Sequence, residues 1–366
     1  MKATFLASGG NNMRIIIIVR DMSMGGSQKV AINLAEWIMT QTSSSVQILA
    51  LQNTNQQIYD LQKIDFYVLN KEKKIRQLRA HLKKEAPDIV LTLGVPLSVI
   101  TVPACLGIKT KHIISERNNP ATFTGKKITK IISRILMHKA EGYVFQTTDA
   151  RDFYGGRIAK QSKVIPNPLF NTENMPAQPF DGPRKKTIVS VGRLNTQKNQ
   201  KMLIEAFAEI ADRYPEYRLV IWGEGPEETG LKALIEKLQV SQRVILPGPS
   251  RKVLQEIYQD SVFVLPSDFE GMPNALMEAL ALGLPCISTD CPCGGPRALI
   301  RNMENGILVP VNDKEALKDK LCYLLEHPQE AQTMGAKAFT IREEYHVNRI
   351  CRMWFDYFEE VMQNGK

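Results

Sequence analysis

Four charged residues stand at spacings that could do chemistry. Arg193 and Lys198 lie close together in "VGRLNTQKN", and Glu270 and Glu278 both fall in "SDFEGMPNALMEALALGLP", residues 267–285. Arg offers a planar fork and Lys a point charge, the two ways in which a side chain meets a phosphate. Glu278 is embedded among Ala275, Leu276, Met277, Ala279, Leu280, Ala281 and Leu282. A helix apolar all round is normally buried, and a buried carboxylate is costly unless something donates hydrogen bonds to it. Two readings follow. Either Glu278 accepts from ribose hydroxyls and Glu270 from sugar hydroxyls when a ligand binds, or Glu278 pairs with an internal Arg or Lys. Gly271, Met272, Pro273, Asn274 and Ala275 open this helix, with Pro273 suited to its first position. Their backbone N–H groups, Pro273 excepted, would make a site for a diphosphate.

Two glycine-rich turns stand where a strand pattern passes into a helix pattern. Gly25 and Gly26 lie in "MSMGGSQKVAINLA", and Gly223 and Gly225 in "WGEGPEE". Glycines there let a backbone approach phosphate beside a helix N-terminus, although either pair reads equally well as a plain turn. Arg193 and Lys198 follow a strand, which puts their charges at its carboxyl edge; the alternative is ordinary solvated charge.

The elements that must position these residues alternate along the chain. Strand-like runs at 14–19, 45–51, 88–94, 111–116 and 142–147 are separated by helical or mixed segments. The pattern pauses at 164–186, which carries prolines 166, 168, 176, 179 and 183. It resumes with runs at 187–194, 217–223, 243–248, 261–267, 285–290 and 306–311, and closes on one long helical stretch from about 313 to 362. Alternation of this kind predicts parallel sheets covered by helices on both faces. The expected organisation is a doubly wound α/β domain over 1–168, a linker at 169–186, a second such domain over 187–340, and a terminal helix at 341–366 that could return to the first domain. Ligands of such sheets bind beyond the carboxyl ends of the strands, at switch points, here facing a cleft between the domains.

Composition narrows the class. A 366-residue chain, 43% hydrophobic and 23% charged, suits two soluble globular domains. Six scattered cysteines predict a reducing compartment, and Cys291-Pro-Cys293 has the spacing of neither a zinc knuckle nor a thioredoxin motif. The histidines show no ligand spacing, so no metal site is expected. "MKATFLASGGNN" lacks the apolar length of a signal peptide. Met13 stands directly before the first strand, which makes the first twelve residues a candidate extension. "IIIIV" at 15–19 is too short to cross a bilayer.

The net charge of +9 is uneven. Residues 1–170 hold 24 Lys and Arg against 11 Asp and Glu, a balance of +13, and the remainder holds 23 against 27, or −4. A basic half attracts nucleic acid, anionic lipid or phosphate-rich substrates alike. In "GKKITKIISRILMHKA", 125–140, Ile128, Ile131, Ile132 and Ile135 share one helical face, and Lys127, Lys130 and Arg134 another. Such a helix either packs its apolar face into a core or lies on an anionic membrane.

Arg193, Lys198, Glu270 and Glu278 in this order resemble the signature of the retaining glycosyltransferases of family 4, which have the GT-B fold of two Rossmann-like domains. The likeness runs through "GRLNTQKN", "WGEGP", "VLPSDFEGMPNALMEALALGLPCISTD" and "NGILVP", and more loosely through "GGSQKVAINLA" and "VIPNP". It implies a hexosyltransferase that moves a sugar from a nucleotide diphosphate, a UDP-sugar by preference, to a carbohydrate or lipid-linked glycan in surface polysaccharide synthesis. Arg193 and Lys198 would neutralise the leaving diphosphate in place of a metal, so no cofactor is implied. Glu278 would hold the ribose, Glu270 the transferred sugar, and Gly25 and Gly26 would close over the donor phosphates.

On the acceptor side the corresponding loop is "SERNNP", where Glu116, Arg117 and Asn118 stand in place of the histidine of many relatives. A second departure is Ala298 in "GGPRALI", where relatives often carry Glu. The resemblance also favours peripheral contact with an anionic membrane through 125–140, on the inner face of the cell membrane of a cytoplasmic protein.

Three competitors remain on the sequence. An epimerase or hydrolase on the same fold would need a proton-moving or water-activating set, and none is evident. A non-catalytic protein could keep the nucleotide-sugar site. A nucleic-acid binder would show aromatic residues interleaved with its basic stretches, and this chain does not, so nucleic acid is not an expected partner.

Overall fold

Runs of β-branched residues become the buried strands. In β1 (Arg14–Val19), all five residues from Ile15 to Val19 are buried, as expected of a parallel sheet covered on both faces. The computed structural model describes residues 12–23, 25–53, 63–70, 72–122, 127–170, 172 and 175–364. The candidate extension therefore lies outside the described residues except for its last position, as do residues 125 and 126 of the basic helix.

The chain divides into one unit of Met1–Pro168 with His346–Lys366, and another of Leu169–Tyr345. In the first, β1 is joined by β2 (Ser45–Ala50), β3 (Asp65–Val68), β4 (Ile89–Leu93), β5 (Lys111–Ser115), β6 (Gly142–Phe145) and β7 (Ser162–Val164). Their order is β3-β2-β1-β4-β5-β6-β7, every pair parallel. Strands β3 and β7 are short, half-exposed edge strands. Their sequences carry little hydrophobic pattern, which is why the alternation alone did not mark them.

The second unit holds β8 (Lys185–Val191), β9 (Arg218–Trp222), β10 (Val244–Gly248), β11 (Asp260–Leu265), β12 (Cys286–Thr289) and β13 (Ile307–Val309). Their order is β10-β9-β8-β11-β12-β13, again parallel. Both sheets are doubly wound, and their strand order reverses between β1 and β4 and between β8 and β11. Those are the switch points at which such sheets bind ligands.

Two segments differ from the sequence reading. The proline-rich stretch 169–186 belongs to the second unit: Leu169 and Met175 are buried in its core with Leu276 and Leu280, and β8 already begins at Lys185. The expected long closing helix is four: Lys314–Glu326, Pro328–Ala338, Ile341–Glu344 and Val347–Gln363. Pro328 cannot continue the first of them, because it lacks an N–H and clashes with the preceding turn, but it suits the start of the second. The last helix lies in the first unit. It buries Ile350, Trp354, Phe358 and Val361 at helical spacing, and its Tyr357 hydroxyl accepts from the Tyr143 N–H and donates to the Gln161 carbonyl.

Candidate active site

At the switch point of the second sheet, the loops leaving β8 and β11 are stitched together. Asn195 accepts from the Lys198 N–H and closes a short turn. Gln197 donates its amide to the Phe269 carbonyl, and its own carbonyl accepts from the Asp268 N–H. Asn199, with left-handed backbone (φ 46°), donates to the Asp268 carboxylate and the Asn312 side chain, each at 2.8 Å. These bonds fix Lys198 beside Glu270.

The Lys198 ammonium lies 2.5 Å from Glu270 Oε1, with side-chain exposures of only 18% and 8%. The same oxygen accepts from the Ser267 hydroxyl at 2.7 Å. The Glu270 backbone is held as well, its N–H donating to the Pro292 carbonyl and its carbonyl accepting from the Cys293 N–H. The sequence reading gave Glu270 partners only on ligand binding; in the fold it already has two. A buried carboxylate needs such donors, and removing one partner of a buried pair costs about 3–5 kcal/mol.

The helix Asn274–Ala281 buries Leu276, Met277, Ala279, Leu280 and Ala281. Glu278, expected to be buried, is half-exposed, because it falls on the one face of this short helix that the core does not cover. Pro273 stands at the cap position, one residue before the helix rather than at its first turn, and no side chain caps that end. Gly271 packs against the following loop so closely that a Cβ on Gly295 would sit 1.7 Å from its carbonyl oxygen. Met272 and Pro273 are buried, and Asn274 and Ala275 half-buried.

Arg193 is exposed and forms no ion pair among the described residues, while its carbonyl accepts from Gln200. Gly223 and Gly225 explain how its loop is held. Their φ angles are 141° and 159°, and a Cβ on either would come within 2.0 Å of the Gly192 oxygen and 2.2 Å of the Leu194 oxygen, respectively. Backbone bonds from Gly192 to Trp222 and from Leu194 to Glu224 lace the two turns together. These glycines are accounted for by that close approach.

In the first unit, Gly25 is extended (φ −177°), and Gly26 opens the helix Gly26–Gln41 without a side-chain cap. Nearby, Asp21 is buried. Burial raises its carboxyl, but Ser23 and Gln52 donate to it and Arg20 lies close, so it falls below the ordinary carboxylate range. Glu116, after β5, is buried. One of its oxygens accepts from the N–H groups of Arg117 and Asn118, and the other from the Tyr154 hydroxyl at 3.0 Å. Burial pushes its carboxyl up, against the pull of these donors.

Arg117 donates to Asn167, and its Nε and Nη1 are buried without a hydrogen-bond partner. Burial lowers it to about 10, against the pull of Glu116. Asn118 is exposed. These three residues border a cavity of about 320 Å³ that also involves Arg20, Lys130, Arg134 and Tyr154, none of which spacing alone had marked for an acceptor site.

The helix Lys127–Met137 excludes one of the two readings that its periodicity allowed. Ile128, Ile131, Ile132 and Ile135 are 64, 59, 42 and 64% exposed, so the isoleucine face is not core. Among the described residues no helix is long and apolar enough to cross a membrane, no group of three His, Cys, Asp or Glu converges as a metal site, and all six cysteines are free.

The two doubly wound units have the GT-B fold. HepE of Anabaena, solved in complex with UDP and glucose, superposes with a TM-score of 0.82 at 18% identity over 95% of this chain and 100% of that one. Residues 171–340, which carry the Lys198–Glu270 pair and the helix Asn274–Ala281, match the family described as "Glycosyl transferases group 1". An uncharacterized glycosyltransferase of Haemophilus influenzae is 26% identical over 348 residues, 91% of this chain and 96% of that protein. An N-acetyl-D-galactosaminyltransferase of Campylobacter jejuni, whose name gives its acceptor as a saccharide on PP-undecaprenol, is 24% identical over 363 residues, 95% of this chain and 99% of that protein.

Proposed function

We propose that the chain is a retaining hexosyltransferase that moves a sugar from a UDP-sugar to a glycan or lipid-linked glycan acceptor in surface polysaccharide synthesis. The observation that carries this reading is the Lys198–Glu270 pair at the switch point of the second sheet, beside the uncapped start of the helix Asn274–Ala281. The backbone N–H groups of 271–275, Pro273 excepted, receive the diphosphate, and Glu278, half-exposed at the second turn, accepts from the ribose hydroxyls. Arg193, with its charge unpaired by any described carboxylate, and Lys198 stabilise charge as it develops on the leaving diphosphate. They do the work that a metal ion does in other transferases.

Glu270 orients the transferred sugar. Its Oε1 already accepts from Lys198 and Ser267, which suits a positioning carboxylate better than a nucleophile. The acceptor hydroxyl attacks the anomeric carbon on the face that the diphosphate leaves. The new C–O bond forms as the old one breaks, and the hydroxyl proton passes to the departing phosphate oxygen. UDP as donor is supported by the HepE complex, and a lipid-linked acceptor by the Campylobacter relative. The exposed isoleucine face of Lys127–Met137, flanked by Lys130 and Arg134, supports peripheral contact with an anionic bilayer; in this reading the enzyme works in the cytoplasm at the inner face of the membrane.

The first test is thermal stability with UDP, GDP, ADP and their sugars, for wild type and Glu278→Ala. A ligand of the folded state raises the melting temperature by mass action. A shift with the uridine series that weakens in the variant is expected; no shift with any nucleotide would end the donor-site reading. For the membrane, co-sedimentation with phosphatidylglycerol vesicles is expected to fall in Ile128→Asp/Ile131→Asp. Pelleting that ignores both the variant and the anionic lipid would remove that contact.

A further inference from the structure

Three loops of the second sheet converge on Glu270. Lys198 reaches it from the loop after β8 and Ser267 from the loop after β11, while the loop after β12 holds its backbone through Pro292 and Cys293. Both side-chain donors fall on the same oxygen: Oε1 takes the Lys198 ammonium at 2.5 Å and the Ser267 hydroxyl at 2.7 Å. Among the described residues no hydrogen bond reaches Oε2, although Glu270 is only 6% exposed. Both oxygens of an ionised carboxylate accept, so this one keeps an oxygen that the protein does not use.

A carboxylate does not choose its own orientation. The terminal torsion of Glu is broad and roughly two-fold, and an ammonium is a point charge with rotatable donors that serves either oxygen. Lys198 alone would let the two oxygens exchange. Ser267 cannot follow such a turn. It is fully buried, and its carbonyl accepts from the hydroxyl of Thr289, itself buried at the end of β12. A buried hydroxyl is costly unless it is hydrogen-bonded, and among the described residues this one donates only to Glu270.

We propose that Ser267 is a positioning residue for the transferred sugar: by sharing Oε1 with Lys198 it fixes the plane of the Glu270 carboxylate and reserves Oε2 for a hydroxyl of that sugar. The inference rests on the transferase reading above and adds to it a residue that acts through Glu270. A misplacement of about 1 Å can cost about a hundredfold in rate, and a carboxylate free to turn misplaces the sugar on that scale.

Wild type, Ser267→Ala and Ser267→Thr would be compared in two measurements: calorimetric binding of UDP and GDP, and kcat and KM for nucleotide release from UDP- and GDP-hexoses. On the hexose that wild type uses best, Ser267→Ala is expected to lower kcat by roughly tenfold to a hundredfold. Affinity for the free nucleotide should stay within about twofold, since Glu270 meets the sugar and not the nucleotide. Ser267→Thr keeps the hydroxyl and should stay within about threefold of wild type in kcat. If its added methyl makes it melt early, Ser267→Cys, with a weaker donor, takes its place and should fall between wild type and Ser267→Ala. A Ser267→Ala kcat within about twofold of wild type, a hydroxyl-keeping or thiol variant as slow as Ser267→Ala, or nucleotide affinity lost in parallel with the rate would each overturn the proposal and leave the donor site standing. A wild type that binds neither nucleotide would overturn the donor-site reading, and this inference with it.

Discussion

Replacing Lys198 by Met removes the ammonium from Glu270 while keeping most of the aliphatic stem. Glu270 is 8% exposed and Lys198 18%, so water screens the pair little, and a carboxylate stripped of its partner costs about 3–5 kcal/mol. The Ser267 hydroxyl still donates to the same oxygen, which favours the lower end. For a unit spanning 169–345, each kcal/mol moves the melting temperature by roughly 2–4 °C, so Lys198→Met should lower it by roughly 6–20 °C. Replacing both partners leaves no stranded charge, and Lys198→Met/Glu270→Gln should regain most of that loss. Transfer activity should not return with it, because the cation proposed to meet the diphosphate is still missing. Calorimetric melting of the two single variants and the double, with a transfer assay on each, forms the cycle. A fall of less than about 2 °C in Lys198→Met, or a double variant no more stable than either single, would refute the argument that the pair is both buried and coupled.

Burial pushes the Asp260 carboxyl up to about 7, with Lys185, Arg218 and Arg184 pulling against it. The folded state then holds a proton that the unfolded state has lost above about pH 4, so stability falls as pH rises from there through 7, by at most ~4 kcal/mol. The melting advantage of Asp260→Asn over wild type should grow between pH 5 and pH 8, and an advantage equal at both would contradict it. Gly225→Ala would drive a Cβ into the Leu194 oxygen at a φ that L-residues rarely adopt, costing about 1–3 kcal/mol or more. UDP binding should weaken with it as the Arg193 loop shifts, and a variant with wild-type melting and UDP affinity would rule the clamp out. Chelation by EDTA should leave the transfer rate within twofold, whereas Arg193→Ala should lower it roughly a hundredfold; a rate that collapses with EDTA and returns with Mg²⁺ would reassign the charge stabilisation.

What the sequence determined by itself is local. Buried parallel strands are nearly all apolar, so "RIIIIV", "IVLTL" and "DSVFVL" declared themselves. The glycines of "WGEGP" marked a turn because only glycine tolerates that backbone. Edge strands β3 and β7 did not declare themselves, since half-exposed residues obey no strict pattern, and 313–362 read as one helix although Pro328 starts a new one. The tertiary structure decided everything that depends on which distant residues meet. It brought Lys198 to Glu270 across 72 positions, tied both loops through Gln197 and Asn199, and left Glu278 half-exposed on a helix whose composition read as fully buried. It also turned the isoleucines of Lys127–Met137 outward, a choice that helical periodicity cannot make, because the same spacing serves a core or a bilayer.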